Sequence, residues 1–190
     1  MGRFLALAIV TIGVASPALG DGEVNSLITA SDRLRLAEFN STRLVALREA
    51  EAGDAEDLAV LKIALAGEPL NFDDFDPAGA WTCRVIKLGG LLPLTVYAKF
   101  RCTISEDGKG WLLNKTTGSQ RTTGYFYQES GTRLIYLGSG YVQGETPKPY
   151  GAGPEFDQVA YAERLAEQRI VLQFPKPYYE SHMDILVLER

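Results

Sequence analysis

From position 81 to the end of the chain, apolar and polar residues alternate in short runs broken by turn-forming residues. Val96, Ala98, Phe100, Cys102 and Ile104 fall on one parity and Thr95, Tyr97, Lys99, Arg101 and Thr103 on the other, which is the period-two signature of a strand with one apolar face. Trp81 to Leu88 is extended as well, with Trp81, Cys83 and Val85 on one parity, and Gly89, Gly90 and Pro93 break the two runs apart. Further strands are predicted at Trp111 to Lys115, Arg121 to Ser130, Thr132 to Val142, Gln158 to Arg164, Arg169 to Phe174 and His182 to Glu189. The stretch 157–168 also has the Ala, Glu, Arg and Leu content of a helix; strand is the preferred reading. Between Gln143 and Phe156 three prolines and three glycines exclude regular structure.

Eight extended pieces joined mostly by short turns predict an antiparallel up-and-down barrel over 79–190. Closing it removes exposed edges and leaves an interior that is filled or holds one small ligand. A β-sandwich is the alternative. Upstream the texture changes. Ser31 to Gly67 is rich in Ala, Leu, Glu and Arg and free of proline, so a helical segment is expected within 21–70. Ser31 or Asp32 would cap a first helix ending at Gly53, with a kink near Asn40 to Thr42. Asp54 would cap a second, running to Ala66 with Leu58, Leu61 and Leu65 on one stripe. The resulting helical hairpin must bury its stripes against the barrel, making the chain α+β and mainly β. The linker 71–78 carries Asp73, Asp74 and Asp76, but lacks the calcium-loop pattern and reads as a solvated turn.

The first 20 residues change the compartment. Arg3, an apolar run from Phe4 to Val14 and the ending Ala18, Leu19, Gly20 have the order of a secretory signal peptide, with cleavage expected before Asp21. The run is too short to span a bilayer. A periplasmic or secreted protein without stable membrane insertion is therefore expected, as a monomer. Its formal net charge of −5 argues against nucleic acid as a partner.

Export also decides how the two cysteines are read, because an oxidising compartment favours pairing. If the first two strands fold back around Leu92 and Pro93, Cys83 lies opposite Cys102, within reach of a cross-strand disulfide. With His182 the only histidine, further ligands for zinc are missing, and no C-x-x-C redox motif is present. No metal and no cofactor is expected.

Catalytic signals are equally sparse. Ser181, His182 and Asp184 are near neighbours in an extended run, where side chains alternate, so they do not form a triad among themselves. Gly138, Ser139 and Gly140 miss the dinucleotide pattern, and the glycines would let a barrel strand bend. Paired carboxylates drawn from Asp73, Asp76, Glu129 and Asp184 would make a glycoside-type hydrolase, the alternative function. Tyr125, Tyr127, Tyr136 and Tyr141 fall in two adjacent strands and could fill a core or, with Trp111, contact a ligand or partner.

Gly79, Ala80 and Trp81 resemble the G-x-W that opens lipocalin-type barrels. That resemblance implies Trp81 as a plug closing the barrel bottom, with a basic residue from the far end of the chain, Arg190 or Arg169, packed over it. The W-x-C at 81–83, the G-Y-x-Y at 124–127, and the F-P-x-P at 174–177 followed by Glu180 and Ser181 are similar to a family of small exported bacterial proteins known only as a domain of unknown function. Neither resemblance implies an activity. The expected function is a non-catalytic periplasmic module for a small apolar ligand or an envelope protein partner, with its mouth near Trp111 and the 143–156 loop.

Overall fold

The alternating runs pair strictly in sequence order. In the computed structural model, which describes residues 21–190, eight antiparallel strands form a closed barrel. They are β1 (Gly79–Leu88), β2 (Leu94–Glu106), β3 (Trp111–Lys115), β4 (Gln120–Gln128), β5 (Arg133–Val142), β6 (Asp157–Ala166), β7 (Arg169–Pro175) and β8 (Met183–Glu189). The β1–β8 ladder, from Thr82 opposite Glu189 to Leu88 opposite Met183, joins the last strand to the first. That closure excludes the sandwich. Of the 157–168 stretch, Asp157–Ala166 is strand and the last two residues are the turn that follows; the strand pairs with both β5 and β7. The expected signal peptide lies outside the described residues.

The helical segment forms four short helices instead of a two-helix hairpin: α1 (Asp21–Leu27), α2 (Ala30–Ala37), α3 (Phe39–Ala50) and α4 (Ala55–Ala64). Thr29, not Ser31 or Asp32, caps α2 by accepting a hydrogen bond from the Asp32 N–H at 3.2 Å, and Asp54 caps α4 through Glu56 N–H at 2.8 Å. The break between α2 and α3 falls at Glu38, ahead of the polar Asn40 to Thr42. Leu36 and Phe39 flank it on different outer clusters, Leu36 with Ile135, Leu137 and Val159, and Phe39 with Val171, Ile185 and Val187.

α1 and α2 cover the outer wall of β4 to β6, and α3 and α4 cover that of β7, β8, β1 and β2. Phe39, Ala46, Ala50, Leu61 and Ala64 pack on Ile86, Leu88, Val171, Ile185 and Val187. Leu172 and Leu188 point into the barrel instead, beside Trp81, Ile104, Leu113 and Phe126. Strands apolar on both faces follow from having a core on one side and helices on the other. Each fully buried aliphatic side chain here contributes roughly 1.5–3 kcal/mol.

Gly124 and Gly138 face each other across β4 and β5. They make room. A Cβ on Gly138 would stand 2.4 Å from the Tyr136 ring and one on Gly124 2.3 Å from Gly138, so the pair makes the space that the fully buried ring occupies.

Cys83 and Cys102 are joined in a disulfide, although not across directly opposed positions. The turn is centred on Leu91, and a register shift between Arg84 and Ile86 adds a residue to β2, so Cys102 lies opposite Trp81 and Cys83 opposite Phe100. The bridge is diagonal, with 5.8 Å between Cα atoms. The same shift turns Leu94 and Val96 outward under the helices while Phe100, Cys102 and Ile104 face inward, so the single parity predicted from Val96 onward does not hold. Both cysteines are buried, so replacing the pair by alanine should lower the unfolding free energy by about 3 kcal/mol. Urea unfolding compared with the oxidised parent measures this; coincident curves would show that the barrel does not depend on the bridge.

Candidate functional site

The two ends of the barrel differ. At the end where β1 begins, the 71–78 segment folds over the interior: Phe72 and Phe75 pack edge to face, Phe75 meets Trp81, and Phe72 lies 6.5 Å from Trp111. Trp81 donates its indole N–H to the Pro77 carbonyl at 2.8 Å. The Arg190 guanidinium lies 4.4 Å over the Trp81 ring and donates to the carbonyls of Asp76 and Ala78, while Arg164 covers the half-buried ring of Phe75 at 4.5 Å. Cation over ring, with both terminal guanidinium nitrogens of Arg190 on carbonyls, seals this end. Arg169 instead donates to Ala66 and Leu165.

The opposite end holds a cleft of about 360 Å³. Inward positions of β1, β3, β4, β6, β7 and β8 bring Lys87, Lys115, Thr122, Gln158, Phe174 and Asp184 to its wall, with Val85 and Leu186 deeper. The 143–156 loop forms the rim beside it. Tyr150 of that loop donates to the Asp32 carboxylate at 2.7 Å, and Arg35, paired with Asp32 at 2.8 Å, donates to the carbonyls of Asp157 and Pro175. One buried aspartate thus ties α2, the loop and two strand ends together around the opening.

The cleft is polar on its walls and unevenly charged. On the β1–β8 side, Lys87 contacts Glu180 at 2.5 Å, and Ser181 donates to Asp184. Burial would depress Lys87, but the carboxylates of Asp184 and Glu180 outweigh it and hold the ammonium above its ordinary value. Burial likewise raises Asp184, only partly opposed by Lys87 and Ser181. Asp157 is also raised, by burial foremost and by nearby Asp32, against the Gly151 N–H that it accepts. On the β3–β4 side, burial and then the charge of Arg121 push Lys115 down to about 8. Lys115 donates to the carbonyls of Thr117 and Gln120 and lies 3.9 Å over the Phe100 ring. Thr122 is bonded both to the Tyr136 hydroxyl at 2.6 Å and to Gln158 at 2.5 Å.

The residues singled out from the sequence are spread through the molecule. Trp111 and the 143–156 loop, expected at one mouth, stand at opposite ends. Trp111 belongs to the sealed end because β3 is short and spans the barrel, leaving Lys115 at the open one. Of the tyrosines, Tyr141 lines the cleft and Tyr136 is buried behind Thr122. Tyr125 faces outward to Asp107, and Tyr127 packs on the outer cluster beneath α1 and α2. Asp73 and Asp76 sit in turns at the sealed end, and Glu129 is paired with Arg133 in the hairpin there, whereas Asp184 is in the cleft. His182 points away from Ser181 and Asp184, toward Glu49 at 3.3 Å. Lys87 and Lys115 were the missed residues. Each continues the apolar parity of its strand, after Trp81, Cys83 and Val85 or after Trp111 and Leu113, and a lysine on that parity must enter the barrel.

The model of a protein family described as a domain of unknown function, DUF4893, matches residues 25–188. The chain belongs to that family. The match takes in all but the last residue of the barrel, so the DUF4893 barrel has its cleft inside the family's bounds, while Arg190 of the sealed end lies just beyond them. Searches of curated proteins and of solved structures each return no match. The F-P-x-P of the DUF4893 chain and the Glu180 and Ser181 that follow it form one wall of the cleft region: Phe174 and Pro177 line it, Glu180 pairs with Lys87 and Ser181 bonds Asp184. Among the described residues no helix is long and apolar enough to cross a membrane.

The depressed Lys115 has a thermodynamic consequence. Between about 8 and the ordinary value of 10.5 the unfolded chain binds a proton at this lysine that the folded one does not, so its contribution to stability rises with pH across that window. Below about 8 both states are protonated and the burial penalty is felt in full. Lys115→Met should therefore flatten the climb in unfolding free energy between pH 8 and 10.5 relative to the parent. Chemical unfolding at a series of pH values measures it, and identical slopes would place Lys115 in an environment as wet as the unfolded chain.

Proposed function

We propose that the protein is an exported, non-catalytic binding module that holds a small apolar ligand in the open end of its barrel, in the manner of lipocalin-type barrels. One observation carries this reading: the interior is packed and sealed at one end and left as a cleft at the other, with Val85, Phe174 and Leu186 below a ring of polar groups. That volume is at the low end of small-molecule sites, which run from about 300 to 1,000 Å³. Export is supported by the disulfide and by the signal-like leader. Of the four acids named for a carboxylate-based hydrolase only Asp184 lines the cleft; its acidic neighbour there, Glu180, is paired with Lys87, and Asp157, Glu145 and Glu155 also line the cleft. An envelope protein as partner is supported by the exposed Leu91, Leu92, Tyr178 and Tyr179 at the same end.

Both tryptophans lie at the sealed end, so a probe's own emission is the right reporter of the cleft. Nile red, which is neutral, should bind saturably with enhanced emission. Gly140 faces the cleft, and a Cβ there meets only the flexible Gln158 side chain at 2.9 Å. Gly140→Leu should therefore weaken Nile red binding about tenfold or more, a loss of about 1.4 kcal/mol or greater. Titration by fluorescence decides it. No saturable binding, or binding indifferent to the substitution, would remove the cleft as the site.

A further inference from the structure

The charges around the cleft do not balance locally. Lys87 has Glu180 and Asp184 beside it. Lys115 and Arg121 have each other. Lys115 makes no ion pair among the described residues; its hydrogen bonds go to two carbonyls, which accept its protons but do not cancel its charge. Arg121 donates Nε to the Gly118 carbonyl at 3.1 Å, and its two terminal nitrogens have no partner among the described residues. Both side chains line the cleft, one of them buried. The acids on the other walls keep their charge, but among the described residues none pairs with Lys115 or Arg121: Glu145 accepts the Val142 N–H, Asp157 the Gly151 N–H and Asp184 the Ser181 hydroxyl, and Glu155 is exposed on the loop; the cation Arg35 is held by Asp32.

Two like charges in a partly dry recess repel each other more than they would in water. An anion between them would relieve that repulsion and take up the free face of the guanidinium, whose planar fork suits a carboxylate. Apolar surface lies deeper in the cleft, across from this pair on β1, β7 and β8, at Val85, Phe174 and Leu186.

Resting on the reading of the cleft as a ligand site, we propose that its ligand is an amphiphile with a carboxylate headgroup, held by Arg121 and Lys115 with its apolar body directed into the barrel. The head selects and the body supplies affinity. A charged hydrogen bond in such a site contributes about 1.5–3 kcal/mol, so the preference for the acid over the matching alcohol should be about tenfold or more.

Competition against Nile red on the oxidised full chain tests this, using dodecanoate and dodecanol at pH 7. Dodecanoate should displace the dye at a concentration at least about tenfold lower, and Arg121→Gln should narrow that gap to about threefold or less. Lys115→Met should narrow it too; Arg121 is the more exposed position, so its variant keeps the test alive if the lysine variant does not fold. Equal displacement by the two probes, with Nile red bound, would overturn the headgroup assignment and leave the cleft reading intact. Absence of Nile red binding would overturn both. A gap unchanged in Arg121→Gln would refute the assignment to this pair of cations.

Discussion

Closure of β8 onto β1 is the constraint from which the rest of the molecule follows. An eight-stranded sheet that closes has one interior of nearly fixed width, and side chains on inward parity must fill that space or line what is left. Here large residues fill one half. Trp81, Phe126, Tyr136, Leu172 and Leu188 interdigitate around the disulfide, and Gly124 with Gly138 makes room for the one ring that would not otherwise fit. Toward the other end the inward positions turn polar, and packing stops.

The same closure explains why the helices are where they are. Closing the sheet gives every strand an outer face, and on β7, β8 and β1 that face is apolar, so it needs a cover. α3 and α4 supply it, while α1 and α2 cover β4 to β6 and α2 reaches the rim of the cleft. Asp32, Arg35 and Tyr150 form a buried polar knot in which each partner is held by another element, making the rim a product of helix docking as much as of strand pairing. A site framed in this way is preorganised, which suits binding.

The two ends use the same residue types for different ends. At the sealed end, Arg164 and Arg190 lie over aromatic faces and donate to carbonyls, so their charge serves to cap the core. At the open end Lys87 is neutralised by acids and the Lys115–Arg121 pair is not. The difference lies in what stands opposite each cation, and that is a matter of which strands meet.

Much of this was legible in the chain itself. Period-two alternation located all eight strands to within a few residues, because a strand with one buried face must alternate. Helix composition, the Asp54 cap and the pairing of Cys83 with Cys102 were readable for similarly local reasons. What the sequence could not settle was register and placement. A turn centred on Leu91, together with one extra residue in β2, moved the cysteines from opposed to diagonal, and that extra residue reversed the facing of Leu94 and Val96; no local propensity marks such a shift. It also could not show that Trp111 and the 143–156 loop lie at opposite ends, or that lysines from β1 and β3 enter one cleft, since those are properties of strand length and order around a closed ring. Sequence by itself determined the elements and the chemistry available to them; the tertiary structure alone decided which charges face each other, because only closure brings distant strands to a common interior.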